Sequence, residues 1–171
     1  MTNDTVPART YTLDPARTTI RCDCKSMMGL VPVHGTFDLI DGQVTIDDDL
    51  AHCAASARVS AGSFASGNST RDGHVTSAML LDAKAYPEIT FSGAAARAAE
   101  DGAGWTLPGS VTAHGITQPA QVRVTEARLE DGTARFLATA TLDRFGFGVT
   151  RMKLRVGRTV TVEIDAIGVP A

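Results

Sequence analysis

Over residues 19–25 the chain alternates without a break: Ile20, Cys22 and Cys24 fall on one face, Arg21, Asp23 and Lys25 on the other. A period of two is the geometry of an extended strand with one dry side, and a helix cannot gather such a pattern onto a single face. The same period returns at Val31, Val33, Gly35, Phe37 and Leu39, opposed by His34, Thr36 and Asp38. Further inward rows follow at Cys53, Ala55, Ala57 and Val59, at Ile89 and Phe91, and at Trp105, Leu107, Val111 and Ala113. Val122 and Val124 come next, then Phe136, Ala138, Ala140 and Leu142, and finally Val160, Val162, Ile164 and Ala166. The expected fold class is all-β.

Turn formers punctuate these rows. Asp14 and Pro15 end a short first strand at Tyr11 and Leu13, and Glu130, Asp131 and Gly132 join two later arms. Asp41 and Gly42 read as a tight hairpin leading to Val44 and Ile46, and His114 through Pro119 reads as a bend anchored by Ile116. Pro108 and Gly109 interrupt an inward row, which fits an edge or a bulge. Residues 62–85 break the pattern: turn formers precede a brief helical or irregular insertion in which Val75, Ala78 and Met79 recur at helical spacing. Leu80 and Leu81 are expected to cap one open end. Residues 1–9 read as a flexible N-terminal tail and residues 10–169 as one domain, with no internal repeat.

Successive antiparallel strands with one dry face bury it by stacking two sheets or by closing on themselves, and closure also removes reactive edges. A chain of 171 residues is large enough to do either as one domain. The inward rows carry many small residues, among them Gly35, Ala55, Ala57, Ala113, Ala138 and Ala140. In a single, roughly eight-stranded barrel such residues leave an internal volume that larger side chains would fill. The competing expectation is a filled barrel, in which the alanines face aromatic rings across a tightly packed core.

Several function classes are disfavoured. A formal charge of -3 gives no field to gather phosphate backbones, so nucleic acid is not an expected partner. Cys22, Cys24 and Cys53 are an odd number, and Cys22 and Cys24 point the same way along one strand, so reduced thiols are expected. The opening MTNDTVPARTYTLDPA is polar and interrupted by Pro7 and Pro15, unlike a secretory signal, and the expected location is cytoplasmic. No segment is an expected transmembrane span. His34, His52, His74 and His114 compose no short metal motif. Ser66 or Ser77 with His74 and Asp72, or Cys22 with His34, are the conceivable catalytic groupings. No nucleophile-elbow sequence accompanies them, and enzyme activity is not expected.

The segment TRDGHVTSAMLLDAKAYPEITF (residues 70–91), with Arg71, Asp72, His74, Ser77, Asp82, Pro87 and Phe91, resembles the YceI-like family. TLDPARTTI (12–20), VHGTFD (33–38), GITQPA (115–120) and LDRFGFG (142–148) extend that resemblance, in order, over nearly the whole chain. The resemblance implies a lipocalin-like barrel associated with polyisoprenoid or other long-chain lipid binding. It implies no catalytic cofactor; a bound polyisoprenoid or isoprenoid quinone would be cargo. Arg17 and Thr18 stand where the family usually has His and Ser, and Gln118 where it commonly has Lys. Many relatives are exported, whereas the polar opening here is expected to carry no leader.

The expected function is therefore binding, sequestration or transport of a long-chain isoprenoid or related lipid. Its lining would come from Phe37, Val59, Phe64, Met79, Leu81, Phe91, Trp105, Phe136, Phe145 and Phe147, with His74 and Arg144 as polar contacts to a head group. Met27 and Met28 would form an adaptable mouth. Arg71 and Asp72 are expected to pair with each other. The alternative is a stress-related structural or protein-interaction module with a filled barrel, and a homodimer is compatible with either.

Overall fold

The computed structural model describes residues 6–26, 31–152 and 157–171, and the alternating rows lie in extended strands. These are β1 Arg9–Leu13, β2 Thr19–Ser26, β3 Val31–Phe37, β4 Leu39–Ile46, β5 Ala54–Ser60, β6 Glu88–Ala94, β7 Arg97–Ala98, β8 Trp105–Ala113, β9 Ile116–Glu130, β10 Thr133–Asp143 and β11 Thr159–Pro170. One helix, α1, spans Ser69–Thr76 among the described residues. Met27 and Met28 lie outside the described residues.

Every strand pairing is antiparallel, and the pairings close. β1 and β2 lie along the same edge of β11, so they form one stave broken at residues 14–18. Asp14 N–H donates to Ile167 O (2.8 Å), and Ile167 N–H donates to Thr18 Oγ1 (3.2 Å), which bridges the break. β3 and β4 make a second stave, kinked at Asp38, on β2 and β1; β6 and β7 make another along β8. The eleven segments are thus eight staves, and the first stave meets both β11 and the β3/β4 stave to seal an eight-stranded barrel. The outer edge of β3 is covered by the chain after β5: Thr36 and Ala65 exchange two backbone hydrogen bonds (2.8 and 3.0 Å).

Asp41 and Gly42 do not turn the chain. They lie inside β4 opposite Arg58 and Ala57, just after a bulge at Ile40. Ladders to β1 and β5 on both sides outweigh the local turn preference, and Leu13 packs over the bare face of Gly42. Two-residue hairpins occur instead at His114–Gly115 and Asp131–Gly132, where positive φ at both positions gives the turn whose twist matches the flanking strands. The bend expected to reach Pro119 therefore ends at Gly115, and Ile116 already belongs to β9. Pro108 sits where β8 passes from β6 to β7, a gap in the ladder that needs no donor there.

Packing begins before residue 10. Val6 is buried against the core, and Pro7 O accepts a hydrogen bond from the Tyr11 hydroxyl (3.0 Å). Tyr11, the most enclosed large side chain, meets Phe136 edge-on with centroids 6.1 Å apart. This packing lies at the end of the barrel where β1 begins and β11 finishes, called here the terminal end. The other end carries α1 and a 3-10 turn at Arg144–Phe147, and is called the helix end. Outside, ion pairs tie neighbouring staves: Arg58 to Asp41 and Glu88, and Arg135 to Asp165. No helix among the described residues is long and apolar enough to cross a membrane.

Candidate functional site

The inward faces enclose a cavity of about 2020 Å³. Binding pockets for small molecules usually hold about 300–1,000 Å³, so this one suits a larger apolar guest. Each stave contributes: Ile20 and Cys22 from β2, Val33 and Phe37 from β3, Val44 from β4, Ala57 from β5, Phe91 from β6, Leu107 from β8, Val122 from β9, Ala138 and Ala140 from β10, Val162 and Ile164 from β11. Ala57 on β5 and Ala138 and Ala140 on β10 border the cavity from staves that are not adjacent, and large residues at these positions would fill the interior. The space thus follows from side-chain size at positions the pleat turns inward.

Of the residues expected to line it, Phe37, Val59, Phe64, Leu81, Phe91, Trp105, Phe136 and Phe147 border the cavity, as do His74 and Arg144. Met79 does not. Helix α1 ends at Thr76, with Ser77 N–H closing onto His74 O, so helical spacing no longer applies two residues later. Met79 is consequently 42% exposed, while Leu80 turns inward and is buried. Phe145 does not line the cavity either. Its ring lies between the guanidinium groups of Arg144 and Arg158, 5.0 and 4.9 Å from its centroid, and Arg158 is forked onto Asp143 (2.9 and 2.7 Å). Three residues apart on the 3-10 turn, Arg144 and Phe147 are both buried, and Phe145 between them falls off that inward side.

Polar groups gather at the two ends. Arg71 and His74 of α1 line the helix end together with Arg144, while Asp47, Asp48, Glu126 and Arg128 line the terminal end. Arg71 and Asp72 do not pair. Asp72 accepts from Ser66 N–H (3.0 Å) and Ser66 Oγ (2.6 Å), pinning the loop that leads into the helix. Arg144 is buried, and carbonyls among the described residues anchor it: Nε donates to Gly157 O (2.9 Å) and Nη1 to Val149 O (2.7 Å) and Arg151 O (2.9 Å). Burial lowers its basicity, opposed by the nearby Cys24 and Asp143.

The groupings weighed for catalysis do not assemble. Cys22 faces the cavity, whereas His34 lies on the outer face, hydrogen-bonded to Asp23 and Arg21. Burial, with Asp23 and Cys24 adding to it, pushes the Cys22 thiol up to about 12, so it is not a nucleophile near neutrality. The Ser77 hydroxyl donates to the backbone carbonyl of His74 (2.7 Å) and Ser66 to Asp72, so neither serine is activated by an imidazole. Among the described residues no group of three or more His, Cys, Asp or Glu is placed to hold a metal ion.

The β2, β9 and β11 rows that complete the lining were legible as inward faces but were not assigned to the site. Arg71 was missed because Asp72 beside it offered a simpler partner.

A closed barrel with a mainly apolar lining and a helical insertion at one end defines a lipocalin-like barrel capable of binding apolar ligands. The YceI-like domain model matches residues 11–167, and the chain belongs to that family. A "UPF0312 protein" of Pseudomonas putida (strain GB-1) is 31% identical over 150 residues, covering 84% of this chain and 77% of the relative. Among solved structures, Burkholderia cenocepacia BcnA superposes with a TM-score of 0.78 at 24% identity, covering 91% of this chain and 98% of that one. A polyisoprenoid binding domain from Saccharophagus degradans, implicated in plant cell wall breakdown, superposes at 0.68 with 15% identity, covering 94% and 98%.

Proposed function

We propose that this protein binds a long-chain isoprenoid or related lipid inside the barrel and holds it for sequestration or transport. The observation that carries this reading is the volume itself: about 2020 Å³ lined mainly by aliphatic and aromatic side chains contributed by every stave. An oily chain entering such a space gains roughly 25 cal/mol for each Å² of apolar surface withdrawn from water. The description of the Saccharophagus degradans barrel as a polyisoprenoid binding domain supports the choice of cargo. A filled structural barrel would need the inward residues to interlock, and Ala57, Ala138 and Ala140 instead border open space.

We also place the protein in the cytoplasm, a reading supported by three free cysteines. Native mass spectrometry after gentle purification, followed by solvent extraction, tests the cargo. The expected result is one long-chain lipid per barrel, exchangeable with added polyprenol. A protein that stays at its bare mass across a panel of such lipids would overturn the reading.

A further inference from the structure

We propose that the outer rim of the helix end docks on an anionic lipid surface, with Met79, Tyr86 and Ile116 entering the head-group layer and Lys25, Lys84 and Arg151 meeting lipid phosphates. The surface itself is independent of any cargo; its use, loading and release, rests on the lipid-binding reading.

Exposed apolar side chains are unevenly spread. Of the large hydrophobic residues open to water among the described ones, Val31, Met79, Tyr86 and Ile116 stand around the helix end, whereas Ile40 lies on the wall and Val169 at the terminal end. The patch is held in place by what lies beneath it. The Tyr86 ring lies against Gly115, where a Cβ would come within 2.7 Å of it, and meets His114 edge-on with centroids 5.0 Å apart. Ile116 reaches across Gly148, and His114 Nδ1 donates to Phe147 O (3.0 Å), tying the β8–β9 hairpin to the 3-10 turn. Met79 adjoins Leu80, which is buried with Ala113 and Phe147 under the same rim. Single exposed apolar residues are ordinary, but a cluster fixed at one end marks a contact surface.

Charge selects what that surface meets. Lys25, Lys84 and Arg151 are exposed at the same end, and among the described residues no ion pair holds them. Of the carboxylates there, Asp143 is forked by Arg158 and Asp72 accepts from Ser66. The terminal end is the reverse, with Asp47, Asp48, Asp49, Glu130 and Asp131 gathered at its loops. The formal charge of -3 therefore conceals a dipole whose positive pole carries the apolar patch. An anionic bilayer attracts that pole and repels the other, while a tyrosine ring and aliphatic side chains suit the head-group layer. The cavity reaches the surface at this same end, where the exposed Asn68, Thr70 and His74 line it. Docked in this orientation, the barrel turns an opening toward the bilayer.

Flotation of delipidated, full-length protein with vesicles tests this. The expected result is binding to phosphatidylcholine vesicles containing about a third phosphatidylglycerol that is about tenfold or more tighter than to phosphatidylcholine alone, fading as salt rises toward about 0.5 M. Lys84→Glu with Arg151→Glu should weaken binding to the anionic vesicles by about tenfold or more, and Lys84→Arg with Arg151→Lys should bind like the parent. Met79→Ser with Ile116→Ser should weaken it by about fivefold, and Ile40→Ser, on the wall, should leave it unchanged. Nile red affinity in solution should be the same in every variant, which shows each to be folded with its cavity intact. Equal binding to both vesicle types, binding to neither, or undiminished binding by folded Lys84→Glu, Arg151→Glu protein would overturn the docking surface and leave the lipid-binding reading standing. Self-association that Met79→Ser abolishes, with vesicles left unbound, would give the patch to a second copy of the chain and overturn it too. Docking as described by a protein that takes up neither Nile red nor polyprenol would uphold the surface and sink the cargo reading alone.

Discussion

The ring of Phe64 occupies the space that a side chain on Gly35 would need. A Cβ built at Gly35 falls inside van der Waals contact of the Phe64 ring, and Phe64 also packs on Phe37 with centroids 5.2 Å apart. Through this contact the chain that covers the β3 edge sends an aromatic side chain into the barrel. Gly35→Ala forces Phe64 aside and is expected to destabilise the fold by about 1–3 kcal/mol. Urea unfolding measures it, and a variant as stable as the parent would show that the ring has room to move.

Filling the interior should separate binding from stability. Ala57→Phe combined with Ala140→Phe places two rings in open space, so Nile red affinity is expected to fall by about tenfold or more. Melting temperature should hold or rise, because filling a void commonly adds about 0.5–2 kcal/mol. Met79→Ser, at an exposed position off the cavity, should change affinity by less than about twofold. Fluorescence titration and thermal melts on the same samples report both quantities.

What the sequence made legible, and what it did not, follows from the reach of local patterns. Period two assigned Ile20, Cys22, Ala138, Ala140, Val162 and Ile164 to the inner face, because the pleat leaves no other choice once one side is dry. Asp41–Gly42 was misread because turn chemistry is local, while the ladders to β1 and β5 that keep it extended come from residues far away in the chain. Met79 and Phe145 lie in segments where no regular period applies, so their hydrophobicity said nothing about direction. Arg71 shows the same limit for charge: adjacency to Asp72 suggested a pair, and the loop delivered Ser66 to Asp72 instead.

Cys22 should be chemically quiet. With its thiol pushed up to about 12, iodoacetamide at pH 8 is expected to modify Cys22 far more slowly in folded than in unfolded protein. The linkage has a definite sign. The folded value lies above the ordinary 9.0, so the contribution to stability is whole below pH 9 and is lost as pH rises toward 12. Cys22→Ala should therefore lose less stability than the parent between pH 8 and pH 10, which denaturation at those two values checks.

Asp165 should govern part of the acid limb. Arg135 donates to it through Nε and Nη2 (2.9 and 2.7 Å), and this hydrogen bonding holds its carboxyl below the ordinary 3.8 despite partial burial. A depressed folded value means stability that is present above the unfolded value and lost as pH falls through the folded one. Asp165→Asn should melt lower than the parent at pH 7 and lose less between pH 7 and pH 3. A parallel drop in both proteins would assign acid sensitivity to other carboxylates.

The most direct test of an open, lipid-holding interior is where a bound chain touches the wall. Isotope-filtered NMR with geranylgeraniol and methyl-labelled protein should give intermolecular contacts to Ala138, Val162, Ile164 and Leu107, and none to the exposed methyls of Ile40 and Val169. Contacts confined to Ile40, Val169 or other outward methyls, with the inner ones silent, would contradict the account.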